Sequence, residues 1–372
     1  MFRCLLLAAL VLLPLEALAD RPPAVVPPDA ATVIEKLPRG YAALVPDVSS
    51  KPVPMARVQQ FLATAARTGD ARLAARAAGL LDRFPATDHS PDLLRARAYS
   101  AQHRHDFRAA LKLLDTLVSS EPRDGDARLS RAQIHLVQGR LDLARADCAA
   151  LALGIDTGRG LLCVAALSLR TGDLTAAANM ADRWLGQATA ADDSRRYVLV
   201  MRAEIASRAG AADTDSWFGR ALALAPDDVR TLAAYSRHLR GAGRNADALK
   251  LLADAANSDG LQLERTLAAH ALHTPDAAAL AQTQARRYQL AHALGSQPEM
   301  RDEAEFLLSV RGDAPAALAL AQRNFEQQRD FEDVGLLQRA ALAARRPEVL
   351  GPLRNWAATQ HLPLTPVRGA AR

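Results

Sequence analysis

The chain has 372 residues, 49% of them hydrophobic and only 4% aromatic, and 46 Lys and Arg against 41 Asp and Glu give a net charge of +5. The basic residues form no continuous run, which excludes a basic arm of the kind that binds nucleic acid. Ala and Leu dominate the composition, and both favour helices. Beyond the N-terminus, no apolar stretch is long enough to span a membrane.

The first 19 residues have the layout of a signal peptide. Arg3 precedes an apolar run, Leu5–Leu13, which is followed by Pro14 and by the small-x-small site Ala17-Leu18-Ala19. The run is shorter than the ~20 residues that a membrane-spanning helix needs. The sequence therefore predicts cleavage before Asp20, export to the periplasm and no membrane insertion after cleavage.

Residues 20–54 form a proline-rich leader that contains eight of the 20 prolines. Proline at this density blocks helices and interrupts the hydrogen bonds of a sheet. We therefore expect an extended segment that acts as a tether. A disordered tail is predicted at the other end, over residues 363–372, and a single repetitive region over residues 55–362.

The repetitive region is marked by a Gly that is followed five residues later by an Ala. The Gly is expected to end a helix in the left-handed conformation, and an Asp directly after it can cap the next helix. The Ala then lies about one turn into the second helix, where only a small side chain lets two helices cross closely. The spacing predicts helix–turn–helix hairpins at Gly69/Ala74, Gly139/Ala144, Gly172/Ala177, Gly243/Ala248 and Gly312/Ala317.

The hairpins recur at a nearly constant interval. Ala74, Ala110, Ala144 and Ala177 are separated by 36, 34 and 33 residues. With this spacing the chain resembles the tetratricopeptide repeat family, whose unit is ~34 residues long. One unit carries the resemblance through Leu94, Ala98, Phe107, Ala110, Leu114, Leu117 and Pro122. The resemblance implies an all-α fold, a right-handed α-solenoid of about eight or nine hairpins over residues 55–362.

The resemblance also implies a function: an exported scaffold that binds a protein or peptide on its concave face, without catalysis or cofactor. One alternative is a structural component of an envelope or secretion assembly that makes contacts through its ends or its convex face. A more remote alternative is a periplasmic carrier or accessory enzyme, which convergence of histidine pairs with carboxylates would favour. The sequence leaves the oligomeric state open.

Motifs for catalysis and metal binding are missing from the sequence. It has no Gly-x-Ser-x-Gly, no glycine-rich phosphate loop and no His-Glu-x-x-His, so no catalytic residue is predicted. His103 with His105, and His270 with His273, form pairs without the third ligand that zinc requires. No metal site and no nucleic-acid partner are therefore expected.

Two cysteines remain after removal of the signal peptide, Cys148 and Cys163. They are expected late in one second helix and early in the following first helix, at equal distances from a turn near Ile155 and Asp156. An oxidising compartment would allow a disulfide between them. Two buried thiols that fill neighbouring cores are the alternative.

The register set by the crossing alanines predicts which residues the first helices turn toward the concave face. Many of them are arginines, whose guanidinium groups match carboxylates in two parallel hydrogen bonds. The hypothesis is an acidic protein or peptide partner, and the alternative is that these arginines only solvate the inner helices. The partner-binding candidates are Arg95, Tyr99, Gln102, His103, Gln133, Arg159, Arg196, Arg208, Arg230 and Arg237.

Overall fold

A computed structural model describes residues 54–187, 192–255, 258–293 and 298–362. The predicted signal peptide, nearly all of the proline-rich leader and the predicted tail lie outside the described residues. Within these ranges the only regular secondary structure is helical.

The described residues form eighteen α-helices that pair into nine consecutive hairpins, here numbered one to nine. Odd-numbered helices are the first helices of the hairpins and even-numbered helices the second. A π-helical turn, Leu151–Ile155, joins hairpins three and four, and a 3-10 turn, Pro347–Leu350, lies inside hairpin nine. The helices are α1 Met55–Thr68, α2 Ala71–Leu81, α3 Pro91–His103, α4 Phe107–Ser120, α5 Gly125–Val137, α6 Leu141–Ala150, α7 Thr157–Thr171, α8 Leu174–Leu185, α9 Asp192–Ala209, α10 Thr214–Leu224, α11 Val229–Gly241, α12 Asn245–Leu251, α13 Asp259–Leu272, α14 Ala277–Ala293, α15 Met300–Ser309, α16 Ala314–Gln327, α17 Phe331–Ala343 and α18 Gly351–Thr359.

The turns inside the hairpins have the predicted structure. Gly69 ends α1 with φ of +66°, a conformation that glycine adopts without steric cost. Asp70 then caps α2 by accepting a hydrogen bond from the backbone N–H of Arg72. Asp173 caps α8 in the same way through the N–H of Ala176. These bonds satisfy donors that every helix N-terminus otherwise leaves without a partner.

The crossing alanines are where the spacing predicted them. Ala110, Ala144, Ala177, Ala248 and Ala317 are all 0% exposed, because the partner helix of the same hairpin covers them. Leucines and aromatic residues surround these crossings and form apolar cores that continue from one hairpin into the next. The fold is the all-α solenoid of stacked hairpins that the sequence predicts.

The two cysteines of the repetitive region are bonded in the structure. Cys148 in α6 and Cys163 in α7 have their sulfur atoms 2.05 Å apart, and both side chains are buried. The bond joins the second helix of hairpin three to the first helix of hairpin four. It closes a loop with a sequence separation of 15 residues that contains the π-helical turn.

The solenoid is wound so tightly that its early hairpins touch its late ones. The turn of hairpin one lies beside the linkers before hairpins six and seven, where Arg67 pairs with Asp227 at 2.9 Å. The turn of hairpin two reaches the linkers before hairpins eight and nine. There His105 Nε2 lies 3.2 Å from a carboxylate oxygen of Glu299, and His105 Nδ1 lies 3.0 Å from Gln328 Nε2.

Hairpins three and four also contact the last hairpin, hairpin nine, and the linker before it. The backbone N–H of Arg329 donates to the carbonyl of Val137 at 2.7 Å, and the Trp356 indole N–H donates to the carbonyl of Gly139 at 3.0 Å. Arg170, near the end of α7, pairs with Asp330 at 3.0 Å. We call this whole set of contacts the seam. It joins the turns of hairpins one to four to the linkers and helices of hairpins six to nine.

Among the described residues, no helix is both long enough and apolar enough to cross a membrane.

Candidate functional site in the superhelix interior

The superhelical winding of the solenoid brings side chains from four distant first helices to one place on its concave face, which we call the inner face. Tyr99 of α3, Gln133 of α5, Tyr197 of α9 and Arg230 of α11 meet there. The Gln133 side chain lies beside the Tyr197 hydroxyl, and the Arg230 guanidinium lies 5.9 Å from the centre of the Tyr197 ring. Partial burial raises the pKa values of both tyrosines, while the charge of Arg230, and at Tyr197 also Gln133, opposes that rise. Three of these residues, Tyr99, Gln133 and Arg230, were predicted from the sequence.

Next to this group, the same inner face carries opposite charges. Burial, followed by the negative charge of Glu332, raises the pKa of Glu204, and Arg237 opposes that rise. Arg237 also lies 3.9 Å from Glu264. Burial lowers the pKa of Arg208, whose guanidinium stacks on Phe331 at 4.3 Å and donates to the Leu169 carbonyl. Arginines and carboxylates therefore share this surface.

A second charged group lies where hairpins eight and nine face the interior. Arg301 is 3.7 Å from Asp302 and 3.7 Å from the buried Asp333. Burial disfavours the charged form of Arg301 and by itself would lower its pKa. The negative charges of Asp333 and Asp302 outweigh burial and raise the pKa of Arg301. Burial raises the pKa values of Asp302 and Asp333 and raises the pKa of Asp330 to about 6, against the opposing effect of Arg170.

The other predicted arginines lie in ion pairs between neighbouring elements. Arg95 pairs with Asp124, the capping residue of α5, at 2.7 Å. Arg159 pairs with Asp126 at 2.6 Å and with Asp156. Arg196 pairs with Asp228 at 2.6 Å. Gln102 and His103 are half-buried near the end of α3. The structure thus divides the predicted set: Arg95, Arg159 and Arg196 link consecutive elements, and Tyr99, Gln133 and Arg230 converge.

Sequence analysis missed the carboxylates of the inner face. Glu204, Glu264, Asp302 and Glu332 belong to first helices, as do the predicted arginines. A signal was present, since Glu204 lies four residues before Arg208 and therefore on the same helical stripe.

Neither histidine pair lies in a group of three or more potential metal ligands among the described residues. The rings of His270 and His273 are 6.2 Å apart, and His105 faces the single carboxylate of Glu299. Within the ranges that the structure describes, no group of three or more His, Cys, Asp or Glu side chains is arranged to hold a metal ion.

The raised pKa values predict a pH dependence of stability. A carboxyl whose pKa is higher in the folded state binds a proton more readily there, so its contribution to the free energy of unfolding falls as pH rises through that interval. For Asp330 the interval runs from its ordinary 3.8 to about 6. We expect the stability of the wild type relative to Asp330→Asn to fall by on the order of 2 kcal/mol between pH 4 and about pH 7.

Thermal unfolding of both proteins at several pH values measures this difference. Burial lowers the pKa values of His135 and His238, which changes stability in the opposite direction over part of the same interval. Both histidines are present in wild type and variant, so they cancel in the comparison. A difference that stays constant with pH would show that Asp330 titrates normally.

Comparison with known proteins finds distant similarity to solved structures. No protein-family model and no curated protein matches the chain. Among solved structures it is similar to a tetratricopeptide repeat protein from Parabacteroides merdae, with 15% identity and a TM-score of 0.41 over 68% of this chain and 99% of that one. It is also similar to the TPR domain of P58(IPK), with 16% identity and a TM-score of 0.22 over 82% of this chain and 97% of that one. Both are repeat proteins of the kind that the sequence resembles.

Proposed function

We propose that this protein is an exported, non-catalytic scaffold that binds an acidic segment of another protein or peptide on the inner face of its superhelix. Solenoids of stacked hairpins present extended concave surfaces on which partners bind. The proposal includes no cofactor, no metal and no nucleic-acid partner.

One observation supports this site above all: Tyr99, Gln133, Tyr197 and Arg230 converge from hairpins two, three, five and six. Tyr99 and Arg230 remain exposed although they lie on inner helices. An exposed aromatic ring beside a guanidinium supplies rigid contact area together with a charged donor, a combination that is common at protein interfaces.

The charge of the partner follows from the arginines of this face. Within the part of the chain that the structure describes, Arg230 contacts a tyrosine ring and forms no ion pair, and Arg237 is only distantly paired with Glu264. Both guanidinium groups therefore keep donors available for a carboxylate, which they bind through charge-assisted hydrogen bonds. Glu204 lies near both arginines. A ligand carboxylate next to Glu204 would be repelled, so we expect a neutral or positively charged group of the ligand at that point.

A double replacement, Arg230→Gln with Arg237→Gln, tests the inner face. We expect binding of a fluorescent oligoglutamate peptide to weaken by at least about tenfold, because charge-assisted hydrogen bonds are lost. Binding to the wild type should also weaken with added salt. Fluorescence anisotropy measures both effects. Arg196 stays unchanged in this variant, because its loss would leave the buried Asp228 without its ion pair.

The matched control is Arg108→Gln with Arg183→Gln, which removes the same charge from exposed positions on second helices. This control should bind the peptide as the wild type does. Equal weakening in both variants would indicate nonspecific attraction by net charge. Loss only in the control would favour the structural alternative, an assembly component that uses its convex face.

Export is a separate part of the proposal and has its own prediction. The mature protein should begin at Asp20 and should be recovered from the periplasmic fraction, because the first 19 residues are predicted to be a signal peptide. N-terminal sequencing of the protein purified from its natural host measures this directly. A chain that still begins with Met1 would contradict export.

A further inference from the structure

We propose that the seam is a latch: hairpins eight and nine detach from the turns of hairpins two to four while every hairpin stays folded, and this opening admits a partner to the inner face. The inference rests on the proposed function for the identity of the inner face as the binding surface. The opening itself rests on the seam alone.

The seam differs in composition from the interfaces between consecutive hairpins. Consecutive hairpins share continuous apolar cores, and separating them would expose that apolar surface to water. The seam contains many polar contacts, among them those of His105 with Glu299 and of Arg170 with Asp330. Its apolar contacts include Leu362 on the core of hairpins three and four and Trp356 over Gly139. Water can replace polar contacts at little net free energy, so the seam is where the superhelix opens most readily.

The packing of the seam is also incomplete. An open cleft of about 520 Å³ lies along it, with Asp142, Arg145 and Thr171 on one side and Thr359, Gln360 and His361 on the other. Within the hairpins, by contrast, the crossing alanines Ala110, Ala144, Ala177, Ala248 and Ala317 are fully covered. A cleft lined by polar groups holds water, and hydrated surfaces separate without creating an apolar void.

One aromatic anchor gives the latch a defined closed position. The Trp356 ring covers Gly139 so closely that a Cβ atom on that glycine would lie 2.7 Å from it. The indole N–H donates to the Gly139 carbonyl, and Gln360 accepts from the N–H of Leu141 at 3.2 Å. These bonds join residues more than two hundred positions apart, so the closed state is specific and not a loose approach of two surfaces.

Hydrogen exchange measures the opening. In the wild type, the amides of Arg329 and Leu141, which are donors in the seam, should exchange faster than amides in the interior of α4, such as that of Leu114. His105→Asp places a carboxylate against Glu299 and should speed exchange at both seam amides by at least about tenfold. Asp tolerates the left-handed backbone of His105, whose φ is +59°.

A charge swap tests whether the effect comes from the seam. Adding Glu299→Lys to His105→Asp restores attraction and should return exchange to the wild-type rate. The matched control is Arg202→Glu, which places like charges against Asp182 between the adjacent hairpins four and five, outside the seam. It should leave exchange at Arg329 and Leu141 unchanged. Far-ultraviolet circular dichroism should be the same for all variants.

Oligoglutamate binding separates the latch from the proposed function. The opened variant should bind the peptide with a faster association rate that still depends on Arg230. Seam amides that exchange no faster than those of α4, in wild type and His105→Asp alike, would overturn the latch. Faster exchange with an unchanged association rate would overturn its gating role. Faster exchange without peptide binding in any variant would refute the proposed partner and leave the opening established.

Discussion

Replacing Asp147 by Ala is expected to lower the free energy of unfolding by about 3 to 5 kcal/mol. The Asp147 side chain in α6 is buried, and its two oxygens accept hydrogen bonds from Arg128 at 3.1 Å and from Arg131 at 2.7 and 2.8 Å. The hydrogen bonds that Arg131 donates to Asp147 are the main cause that raises the pKa of Arg131. Without Asp147, two largely buried guanidinium groups lose their shared partner, and Arg131 keeps an ion pair with the exposed Asp115 at 2.8 Å.

Asp142→Ala is the matched control, because it removes the same side chain from the same helix. Asp142 is 80% exposed, and among the described residues its ion pair is with Arg145, three residues away. Exposed pairs of this kind contribute little, so the change in unfolding free energy should stay within about 0.5 kcal/mol. Urea unfolding followed by circular dichroism measures both variants. Equal losses would mean that burial of the Asp147 ion pair does not stabilise hairpin three.

The hairpins could be predicted because their signals are local. A Gly at a helix end, an Asp at the next helix start and an Ala one turn later act within about ten residues, and Gly69, Asp70 and Ala74 have the predicted roles in the structure. Each of these residues meets a requirement of backbone conformation, capping or close approach that does not depend on the rest of the chain.

The seam could not be predicted from such signals. Whether hairpin three touches hairpin nine depends on small rotations between consecutive hairpins, which add up along the solenoid. Gly139 illustrates the difference. The sequence identifies it as the residue that ends a hairpin's first helix, and nothing in its surroundings indicates that Trp356, 217 residues later, covers it.

The candidate site was predicted only in part for a related reason. A register error of one residue rotates a helix by ~100°, so the inner face can be assigned only approximately from spacing. Arg230 and Arg95 were expected on one surface, yet Arg95 is paired with Asp124 between hairpins two and three. Ion pairs between neighbouring hairpins depend on residues about 30 positions apart, which the pattern of a single helix does not contain.

The second large effect is expected from the bond between Cys148 and Cys163. Reducing the folded wild type should lower its free energy of unfolding by about 3 kcal/mol, because the unfolded chain regains the entropy that a closed loop of about 15 residues removes. Both sulfurs lie in an apolar cluster with Ala144 and Leu151, where hairpins three and four meet. The bond therefore strengthens one nearest-neighbour interface of the solenoid.

A double variant, Cys148→Ala with Cys163→Ala, separates the covalent bond from the packing of the sulfur atoms. Ala avoids burying a hydroxyl group without a partner, which Ser would do. The variant should be insensitive to reductant and about as stable as the reduced wild type, less a smaller loss for the missing sulfur atoms. Urea unfolding with and without reductant gives both values. Thiol labelling of the denatured, unreduced mature protein should find no free cysteine, and two reactive thiols would show that these residues only fill the cores of adjacent hairpins.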